Sequence, residues 1–141
     1  MFQNILIPTD FSGRDSHAID IARELCSPGD GKITLLHVIE VIANTTLEEF
    51  DDFYKELEER SLKHLNRLAL SHDEDTFTIE KRITYGNRAK EILRFAEENS
   101  IDLIIMTSHK IDIEDRAQGW GTISYKVGIV SQCPVMLVKQ V

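Results

Sequence analysis

The sequence predicts an α/β fold, an open parallel sheet with helices on both faces. Two observations predict it. Apolar runs alternate with amphipathic stretches in the order βαβ-loop-αβαβαβ, and that alternation places the strands in one parallel sheet under helical layers. Two of the runs, Ile5-Leu6-Ile7-Pro8-Thr9-Asp10 and Asp102-Leu103-Ile104-Ile105-Met106-Thr107-Ser108-His109, stop at small polar residues. They read as buried strands whose C-terminal ends open onto one crevice, the place where open α/β sheets bind ligands. Right-handed crossovers leave few ways to order the strands.

The first strand covers about Asn4 to Pro8. A helix follows, capped by Ser12 or Asp15, with Ala18, Ile21, Ala22 and Leu25 on one face. Ser27-Pro28-Gly29-Asp30-Gly31 stops it, because proline and glycine cannot continue a helix cheaply. Ile33 to Val38 is the second strand, and Glu40 to Thr46 a loop. A long acidic helix then runs to about Leu70. Its apolar side carries Leu47, Phe50, Tyr54, Leu57, Leu65 and Leu68, and its solvated side carries Glu48, Asp52, Glu56, Glu59, Lys63 and Arg67.

Ser71 to Thr76 reads as a polar turn. Phe77 to Thr84 alternates apolar and polar residues, as a half-exposed strand at a sheet edge does. Gly86-Asn87 turns into a third helix that Asn87 can cap, with Ala89, Ile92, Leu93 and Ala96 facing the core and Asn99-Ser100 ending it. Asp102 to Thr107 is the fourth strand. The fourth helix runs from about Gly121 to Ser131 with Ile123, Val127 and Val130 facing inward, and Val135 to Val138 is the last strand.

Length and charge exclude several classes of function. A chain of 141 residues reads as one compact domain over its whole length and can bury a core without metal or disulfide support. The formal net charge of −8 argues against nucleic-acid and anionic-membrane partners, which reward basic patches, and it favours solubility. No stretch is long enough to span a bilayer, and the N-terminus enters a strand directly, so a cytoplasmic protein is expected. Cys26 and Cys133 lie far apart without a CxxC and read as reduced thiols. There is no P-loop, no GxGxxG after a strand and no GxSxG elbow. His37, His109 and Asp10 end three separate strands without HxxxH spacing, so no metal is assigned to them.

Five segments in order, ILIPTDFS from Ile5, LLHV from Leu35, YGNRAKEILRFA from Tyr85, DLIIMTSH from Asp102 and the stretch from Gly121 ending in CPVMLVK, resemble the universal stress protein family over essentially the full length. The resemblance implies a Rossmann-like sheet of order 3-2-1-4-5, with the first and fourth strands side by side at the switch point. It also implies a non-enzymatic stress-response homodimer built by pairing the last strands, here Val135, Met136, Leu137 and Val138. An apolar edge strand of this kind is an association liability unless it is paired.

Nucleotide-binding members of the family carry G-x-x-G, nine residues, then G-[S/T] after the fourth strand. In this chain the final pair is Gly121-Thr122, but the first two glycine positions fall on Thr107 and Lys110, and the spacer has ten residues. A residue with a Cβ costs about 1–2 kcal/mol wherever the backbone must be left-handed, and about 1.4 kcal/mol is tenfold in affinity. Asp112, Glu114 and Asp115 repel phosphates, whereas Lys110 and Arg116 attract them.

The site implied by the resemblance comprises Pro8, Thr9, Asp10, Val38, Thr107, Ser108, His109, Lys110, Gly121, Thr122, Ile123 and Ser124. Thr9 and Val38 would offer backbone groups to the base, Asp10 would sit near the ribose or the metal-bound phosphates, and Thr107 and Ser108 would donate hydroxyls. Several residues also have plainer roles: Asp10 as a cap, Val38 as core, His109 as a satisfied loop residue and Trp120 as packing. Two readings stand open. One is a regulatory homodimer with weak or no ATP binding; the other is a module that binds ATP with magnesium through a remodelled loop around Gly121-Thr122. Neither supplies a general base or arginine finger for ATP hydrolysis.

Overall fold

The structure, a computed structural model, describes residues 2–11, 15–41, 46, 48–71, 78–108 and 123–139. Five strands are joined by four helices: β1 (Asn4–Pro8), α1 (Asp15–Leu25), β2 (Lys32–Ile39), α2 (Asp51–Ser71), β3 (Thr78–Tyr85), α3 (Arg88–Glu98), β4 (Leu103–Ser108), α4 (Ile123–Val130) and β5 (Val135–Lys139). A single 3-10 turn, Glu48–Phe50, leads into α2. Every strand pair is parallel and the order is β3-β2-β1-β4-β5. The central strands are apolar on both sides because both faces are covered.

Strand alternation sends successive side chains into two cores. Ile5, Ile7, Ile33, Leu35, Leu103 and Ile105 meet Ala18, Ile19 and Ala22 of α1 and Leu65 of α2. Leu6, Leu36, Val38, Ile104 and Met106 meet Ile92 and Ala96 of α3 and Val127 of α4. Full burial of a side chain such as Leu65 contributes about 1.5–3 kcal/mol.

Helix ends follow local chemistry. Asn87 caps α3 as expected: its Oδ1 accepts the Lys90 N–H at 3.1 Å. The other end closes with the Ile101 N–H donating to the Ala96 carbonyl at 3.0 Å, and Ser100 takes the left-handed conformation at φ 54°. This is the arrangement that usually places glycine just past a helix. Asp15 is the first helical residue of α1 and accepts the Phe11 N–H through Oδ2 at 3.1 Å. Ser12 lies outside the described residues, as do Leu47 and residues 72–77, which hold most of the expected Ser71–Thr76 turn.

Two expectations need correction. Val130 does not face inward: it is 56% exposed and walls a cleft of about 390 Å³ between the C-terminal ends of α3 and α4. With eight residues, α4 has about two turns, and only Val127 is fully covered. Phe50 is likewise exposed, at the 3-10 turn before α2 begins to bury Tyr54, Ser61 and Leu65.

Candidate nucleotide crevice

The crevice is a consequence of strand lengths. Pro8, the last residue of β1, pairs with Leu36, so His37, Val38 and Ile39 of β2 run on past it. On the other side Leu6 pairs with Ile104, which puts Pro8 level with Met106 and carries Thr107 and Ser108 of β4 beyond it. The end of β1 is therefore a floor between two taller strand tips.

Backbone direction decides what those tips present. Thr9 N–H donates to the Leu36 carbonyl at 2.8 Å, so the main-chain groups of Leu36 face β1; Gly86 N–H donates to the Ile39 carbonyl at 3.0 Å, so those of Ile39 face β3. Because N–H and C=O groups alternate sides along a strand, the N–H and C=O of Val38 point past the end of β1 into the crevice. On β4, Ile104 N–H donates to the Pro134 carbonyl of the β5 side. By the same alternation the backbone of Thr107 faces the crevice from the other wall.

Val38 thus has two roles that do not compete. Its side chain is core, 4% exposed among Leu6, Leu36 and Ile92, while its backbone edges the crevice. Thr9 is buried, with its N–H spent on Leu36 and its carbonyl accepting from His37. Asp10 is exposed beside it, and Ile123 and Ser124 are half-buried at the start of α4. Thr107 sits in the regular ladder, paired with Val138. Its backbone is extended, so the absence of glycine there brings no conformational strain; its effect is the space that its side chain occupies.

Below the floor lies a cluster that the sequence did not single out. The Phe11 ring stacks on His37 on one side, with centroids 4.2 Å apart and planes at 28°, and on His64 of α2 on the other, at 4.6 Å and 24°. Phe11 holds φ 59°, a region that a bulky residue rarely occupies. His37 Nδ1 is 3.0 Å from the Thr9 carbonyl. A carbonyl only accepts, so Nδ1 carries the proton and Nε2 of the neutral ring is an acceptor. Burial pushes His37 below the usual imidazole range; the bond to Thr9 and the Asp10 carboxylate oppose that, and Arg88 and His64 add to it. No residue in sequence near Phe11 signals either ring partner.

His109, Lys110, Trp120, Gly121 and Thr122 lie outside the described residues, as do Asp112, Glu114, Asp115 and Arg116. Among the described residues, no group of three or more His, Cys, Asp or Glu side chains is placed to hold a metal ion. No helix among them is long and apolar enough to cross a membrane. Cys26 is buried and Cys133 half-buried, both as free thiols, and burial pushes the Cys26 thiol up.

Comparison with known proteins agrees with this architecture. The Usp family model, described as the universal stress protein family, matches residues 1–139. The universal stress protein YxiE of Bacillus subtilis is 29% identical over 149 residues, covering 99% of this chain and 100% of that protein. The solved structure of MJ0577 from Methanocaldococcus jannaschii superposes with a TM-score of 0.84 at 27% identity, covering 100% of this chain and 98% of that one. A universal stress protein family protein from Arabidopsis thaliana, solved with AMP bound, shares the fold at a TM-score of 0.69 and 22% identity over 99% of this chain and 92% of that one. With a family match over residues 1–139 and a relative covered from end to end, the chain belongs to the universal stress protein family.

Proposed function

We propose that this chain, as a single domain over residues 1–141, is a non-catalytic regulatory protein of the cytoplasm that acts as a homodimer and holds an adenine nucleotide weakly in the β1–β4 crevice. The observation that carries the reading is the direction of the Val38 backbone. One residue there presents an N–H and a C=O side by side, and the Watson–Crick edge of adenine offers the matching acceptor and donor. The AMP-bound relative supports the same ligand class. The crevice also lies at the topological switch point, where β1 separates strands that run outward in opposite directions.

Base recognition and phosphate recognition differ in strength. The phosphate segment has Lys110 where binding members have glycine, three carboxylates close by in sequence and one extra spacer residue. The triphosphate therefore adds little to affinity. Any magnesium arrives with the phosphates, with Asp10 the exposed carboxylate at the mouth. The alternative, a full ATP module, draws on Gly121-Thr122 and on Lys110 acting as a point charge on phosphate.

Titration calorimetry with AMP and with ATP plus magnesium separates these readings. AMP is expected to bind and ATP to bind no more tightly. A low-micromolar ATP constant favours the alternative, and there Gly121→Val should abolish binding. Val38→Pro removes the crevice-facing N–H while sparing the ladder to β3. Unchanged AMP affinity in that variant would sink the base-reading role of Val38.

The dimer reading draws on the other edge of the fold. The Pro134 carbonyl faces β4, so by alternation the backbones of Val135 and Leu137 face outward from the sheet. Leu137 is 39% exposed, and Ile129 and Val130 of α4 are also exposed. Pairing β5 with its copy satisfies the open edge and covers apolar surface.

A further inference from the structure

We infer that the cleft between the C-terminal ends of α3 and α4 binds a small organic ammonium ligand, with the apolar body of the ligand inside and its cationic head at Glu97. The cleft is separate from the adenine crevice. Ile101 stands just before β4 and Cys133 just before β5, so the cleft opens at the N-terminal ends of those strands, whereas the crevice lies beyond the C-terminal ends of β1 and β4.

The cavity has the size and lining of a ligand site. Its volume is about 390 Å³, within the roughly 300–1,000 Å³ of small-molecule clefts. Ala96 and Ile101 are buried, Leu93 is half-buried, and Val130 is exposed beside them. An apolar ligand body would cover Val130 and the inner wall together. The Ser131 hydroxyl is already engaged: it donates to the Cys133 carbonyl at 2.9 Å and accepts the Cys133 N–H at 3.2 Å, which fixes the turn that brings Cys133 to the cleft.

Charge selects the head group. The negative ends of two helix dipoles meet here. Lys, Arg or His often answers such an end, yet neither α3 nor α4 has a basic residue in its last turn. Neutral amides close the end of α3 instead. Asn99 Nδ2 donates to the Phe95 carbonyl at 2.9 Å, and Asn4 Nδ2 to the Asn99 and Ser100 carbonyls at 2.7 and 3.2 Å. Glu97 adds a full negative charge from the exposed side of the lining. Among the described residues lining the cleft there is no lysine, arginine or histidine. Arg94, next to Leu93 in sequence, is paired with Glu91 at 2.9 Å. An anion is therefore repelled, a neutral ligand gains only burial, and an ammonium gains burial and charge pairing together.

The test follows the amide signals of the full chain by NMR during titration with benzylamine, benzyl alcohol and phenylacetate, probes of similar size with positive, neutral and negative heads. Benzylamine is expected to shift the Leu93, Ala96 and Cys133 amides saturably and to bind at least about threefold more tightly than the alcohol. Phenylacetate should leave those amides unmoved. Benzylamine should also slow alkylation of half-buried Cys133 by iodoacetamide, with buried Cys26 as the internal reference. Glu97→Gln, at an exposed position, should bring the amine close to the affinity of the alcohol. Val130→Lys, also at an exposed position, sets a tethered ammonium at the cleft and should abolish amine binding. Equal affinity for amine and alcohol overturns the inference, as does an amine preference unchanged by Glu97→Gln. Cleft amides that respond to dilution of the protein and not to benzylamine give the cleft to a second copy of the chain and overturn it as well.

Discussion

At the scale of single residues, backbone strain and one half-buried imidazole carry the sharpest consequences. Ser100 sits where a helix end usually places glycine, at φ 54°, and a Cβ in that region costs about 1–2 kcal/mol. Ser100→Gly should therefore raise stability by about 0.5–1 kcal/mol after the entropy of the unfolded glycine is deducted, read as a higher urea midpoint at unchanged slope. Burial lowers the pKa of His37 below its unfolded value. The unfolded state then binds the extra proton first, so this contribution to stability is present above about pH 6.5 and declines as pH falls below it. Melting temperature followed across that window should decline less steeply in His37→Asn than in the wild type. The Phe11 conformation itself was not legible in the sequence, because a left-handed aromatic residue has no compositional signature. Asn87 was legible, because an N-cap is recognised from its own side chain and the residues that follow.

Among secondary-structure elements, α2 shows how far periodicity reaches. Its charged outer face is laced by Lys55–Asp51 and Arg60–Glu56 pairs at 2.9 Å, each in i,i+4 spacing. Exposed pairs of this kind contribute little, so the helix is held by Tyr54 and Leu65 and by its contact with β3. That contact includes the Tyr85 hydroxyl donating to Glu58 at 2.6 Å. Burial, with the Glu58 carboxylate beside it, pushes the Tyr85 phenol up to about 12. A pKa raised above the unfolded value gives stability that is intact below about pH 10 and lost as pH climbs toward the folded value. Tyr85→Phe should lower stability by about 1 kcal/mol or less at neutral pH and remove this alkaline component. By contrast, Leu65→Ala should cost about 2–5 kcal/mol, since Leu65 is fully buried. Leu70, at 75% exposed, should tolerate the same change. The sequence pattern grouped Tyr54, Leu57, Leu65 and Leu68 correctly on one side, and it misjudged Phe50 and Val130 because both stand at helix ends, where a periodic stripe outruns the surface available to cover it.

Taken as a whole, the molecule has a charged edge and an apolar one. β3 ends the sheet with Glu80, Lys81 and Arg82, and Lys32 and Arg82 both approach Glu80 at 3.7 Å. Charges along an edge discourage pairing with another strand. β5 carries Val135, Met136, Leu137 and Val138 instead, which is why the proposed dimer uses that side. Leu137→Pro deletes an outward N–H without touching the ladder to β4. It should turn a dimer into a monomer in sedimentation or native mass spectrometry, with the circular dichroism spectrum kept. A wild-type chain that sediments as a monomer at micromolar concentration would remove the dimer from the proposal.

The order of strands and helices, their parallel arrangement and the family all follow from the sequence, because each rests on local periodicity, turn chemistry or short motifs that survive without neighbours. The candidate crevice was legible as the ends of β1 and β4 for the same reason. What only the tertiary structure decided is which atoms face that crevice. The outward backbone of Val38, the spent N–H of Thr9 and the placing of Phe11 between His37 and His64 depend on strand register and on packing between residues far apart in the chain, and no local pattern encodes a register between strands.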